Sequence, residues 1–255
     1  MSSTERFGYE WNKYSAIKEI YEDQFKNWVN PLEPTDFFGK KILDAGCGMG
    51  RNSYWAIKWG AKEVVAFDFD QRSVEAAKKN LAEFNNTKVF FKSIYDLDWQ
   101  NEFDLAFSIG VIHHLKDPRL AIKNLIRSLK PGGKLVIWVY GYEGNEWIVK
   151  FINPIRINFT SKIPVKLANI VSYFFSLPLW IFLKFYFGQN SYLKQLAAYK
   201  FQQVHLIVLD QLIPDTANYW KREEVDKMIA EIGGLDYSIA APPNKSGWII
   251  QGIKI

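Results

Sequence analysis

Ile42-Leu43-Asp44-Ala45-Gly46-Cys47-Gly48-Met49-Gly50 is the stretch on which the fold turns. Ile42 and Leu43 close an apolar strand. Gly46, Gly48 and Gly50 open a tight turn, and Arg51-Asn52-Ser53-Tyr54-Trp55-Ala56 starts a helix. Strand, glycine turn and helix cradle a nucleotide-like ligand, because glycine permits φ > 0 and close approach of the backbone. Asp44 sits two residues before the first glycine, at the carboxyl end of the strand, where open α/β sheets bind ligands.

A second strand, Glu63-Val64-Val65-Ala66-Phe67, ends at Asp68. An acid there, about 20 residues past the loop, can accept two hydrogen bonds from a ribose diol. A dinucleotide loop has its third glycine three residues after the second, so that a helix N-terminus meets the pyrophosphate. Here Gly48 and Gly50 are two apart and an acid leads the loop. Asp44 would repel a pyrophosphate but suits a cationic ligand, which favours S-adenosylmethionine over NAD.

Outward from this core the alternation continues. The spacing predicts a helix from Arg72 to about residue 85 and a third strand over 88–92. Phe103 to Gly110 reads as a fourth strand running into His113 and His114. Asp117-Pro118 is a cap and first position for a helix reaching Leu129. Lys130-Pro131-Gly132-Gly133 turns into an uninterrupted apolar fifth strand, Leu135 to Tyr140. Near the C-terminus, Lys221 to Ile229 is helical. Tyr237 to Ala241 and Trp248 to Ile255 form an antiparallel hairpin around the turn residues 242–247.

Two segments lie outside this rhythm. Residues 5–29 mix aromatics and charges, with helical spacing from Ile17 onward. They read either as a helix packed on the sheet or as a lid that closes Tyr9 and Trp11 over the ligand. Residues 141–202 carry Leu167 to Leu183, seventeen residues without a charge, flanked by Lys162, Lys166 and Lys184. Three readings stay open: a helical cap over an apolar pocket, an element lying on a membrane surface through 163–187, or a true span. The run is slightly short for a span, and the chain must return to the same sheet.

The 255 residues allow one domain with an insertion, and 48% hydrophobic content with 23% charge supports a core. The net charge of +5 fits an anionic substrate, an acidic lipid surface or RNA. One cysteine, Cys47, rules out an internal disulfide, and three histidines without a dense His/Cys/Asp cluster argue against a metal. The opening Met-Ser-Ser-Thr-Glu-Arg lacks a secretory pattern, so a cytoplasmic location is expected, peripheral on the inner membrane face if the insertion meets lipid.

With these pieces in order, the sequence resembles the class I S-adenosylmethionine-dependent methyltransferases, and within them the ubiquinone/menaquinone-type and small-molecule branches. Leu43 to Gly50 is similar to the family's first motif and Val65-Ala66-Phe67-Asp68 to its ribose-binding strand end. Phe103-Asp104 through Leu115 and Leu129 to Gly133 are similar to its later motifs. The resemblance implies a doubly wound, Rossmann-like α/β sheet of seven strands, mostly parallel with an antiparallel last strand, and a helical insertion after strand 5. It divides the chain into a lid (1–36), a cofactor-binding core (37–140), the insertion (141–202) and the C-terminal part of the sheet (203–255).

The resemblance places the methionine end on Asp44, Gly46, Gly48 and Gly50 with neighbouring Cys47. The ribose goes to Asp68 beside Phe69, the adenine to Ser93 and Ile94, and the floor under the sulfonium to Ser108, Ile109 and Gly110. Many members carry an acid where Ser93 stands. His113, His114 and, less directly, Tyr9 are the catalytic candidates, since imidazole titrates near neutral pH. The histidines could equally be structural.

The expected acceptor is a hydrophobic or lipid-linked small molecule, methylated on oxygen or carbon. An RNA or protein methyltransferase is the alternative, although no dense Lys/Arg patch is visible. A non-catalytic cofactor-binding protein is the alternative of another class. The sequence sets no oligomeric state.

Overall fold

The computed structural model describes residues 3–189, 191–242 and 245–255. Among them, β1 (Lys41–Ala45), β2 (Glu63–Asp68), β3 (Thr87–Phe91), β4 (Phe103–Ile109), β5 (Leu129–Tyr140), β6 (Leu235–Ala240) and β7 (Gly247–Lys254) form one sheet. Its order is β3-β2-β1-β4-β5-β7-β6. Only β7 runs against its neighbours, pairing antiparallel with both β5 and β6. The reversed last strand is therefore as expected. The turn residues Pro243 and Asn244 fall outside the described residues.

Strand order reverses between β1 and β4, which pair side by side while the chain leaves β1 toward β2. A crevice opens outside the carboxyl ends of strands at such a switch point. Both faces of the sheet are covered, as continuously apolar parallel strands require. Ile42, Leu105, Phe107 and Val136 bury one face beneath α2 (Ile20–Val29), α3 (Pro34–Phe37) and α4 (Arg51–Lys58). Leu43, Ala106 and Ile137 bury the other beneath α6 (Pro118–Ser128) and α11 (Arg222–Ile232). Asp117 caps α6 by accepting from the Leu120 amide at 3.0 Å.

Residues before β1 form three helices, α1 (Ser3–Lys13), α2 and the short α3, so the helical segment begins well before Ile17. α1 lies against α5 (Gln71–Asn80) on one side and the insertion on the other. The insertion is helical. α7 (Asn153–Ile155) sits between two π-turns, and α8 (Val165–Lys184) and α9 (Ser191–Ala197) follow.

One boundary differs. The sheet was expected to resume near residue 203, yet Phe201–Leu212 is a helix, α10, packed on α8. Its buried positions, Val204, His205, Leu206, Leu209 and Leu212, mostly recur at three- to four-residue spacing. A short apolar run fits either period, and here the partner helix decides. The cap thus extends through residue 212, and the sheet resumes at Leu235.

Candidate active site

A cleft of about 250 Å³ opens at the switch point, bounded by the glycine loop, α1 and the cap. The loop is bent by left-handed glycines. Gly46 has φ +79°, and a Cβ there would stand 2.5 Å from Val111. Gly48 has φ +54° beneath the Trp11 indole, 3.1 Å from where its Cβ would be. The loop is tied to the end of β2: the Gly46 and Cys47 amides both donate to the Phe67 carbonyl at 2.9 Å. The Gly48 amide donates to Asp68 Oδ2, also at 2.9 Å, and Asp68 Oδ1 accepts from the Asp70 amide at 3.0 Å. Each carboxylate oxygen keeps a second lone pair for a ligand hydroxyl. Burial holds the Asp68 carboxyl up at about 6.

Of the residues placed at the cofactor, Gly46, Cys47, Gly48, Asp68, Phe69, Ile94, Ile109 and Gly110 line the cleft. Phe69 is 56% exposed and stacks on Phe91 at 5.5 Å, offering an apolar plane beside Asp68.

Four residues stand elsewhere. Asp44 is buried behind the loop, where Oδ2 accepts from Ser53 Oγ at 2.6 Å and burial pushes its carboxyl up to about 7. It braces the loop and does not line the cleft. Gly50, at the start of α4, packs on Ala77 of α5 and on Leu81 just past its end. Ser93 Oγ accepts from the Tyr95 amide at 3.1 Å, capping a one-turn helix, and Lys92 takes the neighbouring place on the cleft. Ser108 Oγ donates to the Ala45 carbonyl at 2.9 Å within the core.

The two histidines separate. His114 lines the cleft, and its Nδ1 is 2.7 Å from the Thr216 carbonyl. That contact puts the ring proton on Nδ1 and the lone pair on Nε2. Burial pushes its imidazole down to about 4, so it is neutral at physiological pH. His113 is fully buried behind the wall, stacked on Tyr140 at 3.8 Å, and its Nδ1 accepts from the Tyr140 amide at 3.4 Å. Tyr9, a catalytic candidate in the sequence, points away. It packs with the cap residues Val165, Ala168 and Leu209; Phe7 touches the same cluster but, with Trp11, also reaches the cleft.

The sequence reading missed the outer wall. Arg51 enters the cleft with its guanidinium 4.8 Å from the Trp11 ring, 5.2 Å from Tyr21 and 5.1 Å from Trp28. Tyr192, Tyr199 and Asp210 reach the cleft from the cap, and Tyr219 from the loop after it. Asp210 meets Glu10 of α1, a fully buried carboxyl that burial and the neighbouring Asp210 hold well above the usual range. Arg6, also buried, donates to the carbonyls of Thr160 at 3.1 Å and Ile163 at 2.6 Å, and to that of Ser161. α1 is thereby fastened to the cap as a roof. A helix start after a glycine loop marked Arg51 in the sequence, but nothing local marked its aromatic surroundings.

A family model described as "Methyltransferase domain" matches residues 43–137, the span that builds this cleft's floor. These residues form a methyltransferase domain, on a sheet with the S-adenosylmethionine-dependent methyltransferase fold. S-adenosyl-L-methionine is the cofactor of this fold, and the residues fit it: a glycine cradle, an acid with free lone pairs at its edge, and an aromatic plane beside that acid.

Among curated relatives, a tRNA U34 carboxymethyltransferase from Campylobacter hominis is 29% identical over 155 residues, 55% of this chain and 52% of that protein. A ubiquinone biosynthesis O-methyltransferase from Idiomarina loihiensis is 27% identical over 156 residues, 55% of this chain and 63% of that protein. The chain thus spans about half to two thirds of these relatives' lengths. The crystal structure of magnesium protoporphyrin IX methyltransferase from Synechocystis PCC 6803, with bound SAH, shares the fold. It has a TM-score of 0.56 at 13% identity, covering 94% of this chain and 89% of that one.

Proposed function

We propose that the protein transfers a methyl group from S-adenosylmethionine to a planar, mainly apolar small molecule bearing an acidic hydroxyl. The carrying observation is His114 on the cleft wall, with its Nδ1 proton committed to Thr216 and its Nε2 lone pair left for the acceptor. The bound cofactor supplies a methyl carbon activated by a sulfonium, and the protein's part is alignment, removal of a proton and exclusion of water.

Asp68 and the Gly46–Gly48 turn orient the nucleoside, and Phe7 and Trp11 of α1 close the cleft to solvent. His114 Nε2 takes the acceptor's proton. An imidazole held near 4 is a weak base, and it matches a hydroxyl whose own acidity is raised by conjugation better than an aliphatic alcohol. Trp28, Trp138, Tyr140 and Tyr219 give the acceptor half flat apolar walls, and Arg51 gives it a cation for the developing oxyanion. The relative named for ubiquinone biosynthesis supports such an acceptor.

The tRNA-named relative supports a second reading, in which an extruded base enters the same cleft. Incubation of the protein with methyl-labelled cofactor, against either a lipid and quinone extract or total tRNA, separates the two. Label in a small organic-soluble product supports the proposal. Label confined to tRNA replaces it with the second reading.

A further inference from the structure

Helix α8 is built inside out. Its inward face carries Asn169, Ser172 and Ser176 among the buried residues Val165 and Ala168. These polar groups are satisfied within the protein. Asn169 Oδ1 accepts from Tyr14 Oη at 3.2 Å and faces His205 Nε2 at 3.3 Å, and Ser176 Oγ meets His205 Nδ1 at 3.0 Å. The outward face carries Leu167, Ile170, Phe174, Leu177, Ile181 and Phe182, each between 45% and 77% exposed. A water-facing helix shows the opposite arrangement. An apolar patch of this kind marks a surface that meets something other than water.

Charge identifies what that is. Residues 147–209 contain no aspartate or glutamate, yet they hold Lys150, Lys162, Lys166, Lys184, Lys194 and Lys200. All six are exposed. Lys166 and Lys184 are 18 residues apart, about five helical turns, so they stand on the same side near opposite ends of α8. A second copy docked face to face about a two-fold axis would bring these like charges together. A bilayer of anionic lipid meets the apolar face with its acyl region and the lysines with its headgroups.

We infer that α8 lies flat in the surface of an anionic bilayer, with Phe174 at the centre of the buried face. It does not span. At about 1.5 Å per residue its 20 residues could cross, but crossing would strip the Asn169–His205–Ser176 network from its partners into lipid. The inference is independent of the acceptor's identity, although α10, on which α8 packs, also supplies Asp210 to the cleft and so sets the site close to lipid.

Co-sedimentation of the full chain with phosphatidylcholine vesicles, with and without phosphatidylglycerol, tests it. The protein is expected to pellet with the anionic vesicles and to be released by salt. Phe174→Glu should weaken that binding by about tenfold or more, as loss of a buried phenylalanine predicts, while affinity for S-adenosylhomocysteine is kept. The paired charge reversal Lys166→Glu/Lys184→Glu should also weaken it, without touching the apolar face. A fluorophore on Phe174→Cys should shift to the blue on anionic vesicles; the native Cys47 is buried. Failure to bind either vesicle overturns the inference. So does a dimer in light scattering without lipid that Phe174→Glu makes monomeric, which would assign the face to a second copy. Vesicle binding by a chain that transfers no methyl group would sink the proposed function and leave this inference standing.

Discussion

Replacing Asp68 with alanine removes the acceptor that anchors the glycine loop and that we propose holds the ribose. The carboxylate takes the Gly48 amide on one oxygen and the Asp70 amide on the other. Asp68 lines the cleft, and a carboxylate has more lone pairs than these two bonds use. A hydrogen bond to a charged group is worth about 1.5–3 kcal/mol, and 1.4 kcal/mol is tenfold in affinity, so the loss of one ribose bond weakens binding about 10- to 150-fold.

The acid limb gives an independent check. Because burial raises this carboxyl to about 6, it is largely ionised at pH 7 and becomes protonated below 6. The protonated form loses an acceptor, so affinity for S-adenosylhomocysteine should fall as pH drops through 6, by up to about tenfold per unit. Asp68→Asn should lack that limb. Its amide can still accept from Gly48, but its NH2 then faces the Asp70 N–H. Calorimetric titration from pH 5 to 8 measures both effects. An alanine variant within twofold of wild type across that range would refute the assignment of Asp68 to the ribose.

Two further predictions concern the histidines and the loop's support. His114→Gln should cut turnover by about 100-fold or more with little change in cofactor affinity, whereas His113→Phe, behind the wall, should cost far less; steady-state rates in the reverse order would move the base to His113. Asp44 is held at about 7, above its unfolded value near 3.9, so the native state keeps a proton that the unfolded chain has released. Its contribution to stability therefore falls as pH rises from about 4 to about 7 and is flat above. Asp44→Asn retains an acceptor for Ser53 and should flatten the thermal midpoint over that window; an unchanged profile would show that Asp44 is ionised throughout.

The core was legible because its signals are local. Gly46, Gly48, Asp68 and Gly110 mark bends or strand ends that only a few residue types tolerate, and all four line the cleft. Asp44, Ser93 and Ser108 were assigned to the ligand because they stand at the right positions along their strands. Position along a strand does not fix which way a side chain is bonded, and each of these turned to a neighbour: Ser53, the Tyr95 amide and the Ala45 carbonyl. Tyr9 failed for a related reason. Once residues 3–13 are helical, Phe7 and Trp11, four apart, both reach the cleft and Tyr9 between them does not.

The cap was less legible because its logic is carried by contacts distant in sequence. Glu10 meets Asp210 across 200 residues, and Arg6 meets carbonyls beyond residue 159. Hydropathy alone reads 167–183 as apolar all round, which suits a core helix, a span or a surface helix equally. What separates the three is where the few small polar residues point. Asn169, Ser172 and Ser176 would go unremarked in a helix of bulky apolar groups, yet their spacing of three to four places them on one stripe, opposite Phe174. His205 on α10 fixes that stripe inward through Asn169 and Ser176. With the polar stripe facing the protein, the remaining face is apolar by composition and open by geometry, and the lysines at its margins set the sign of the surface it can meet.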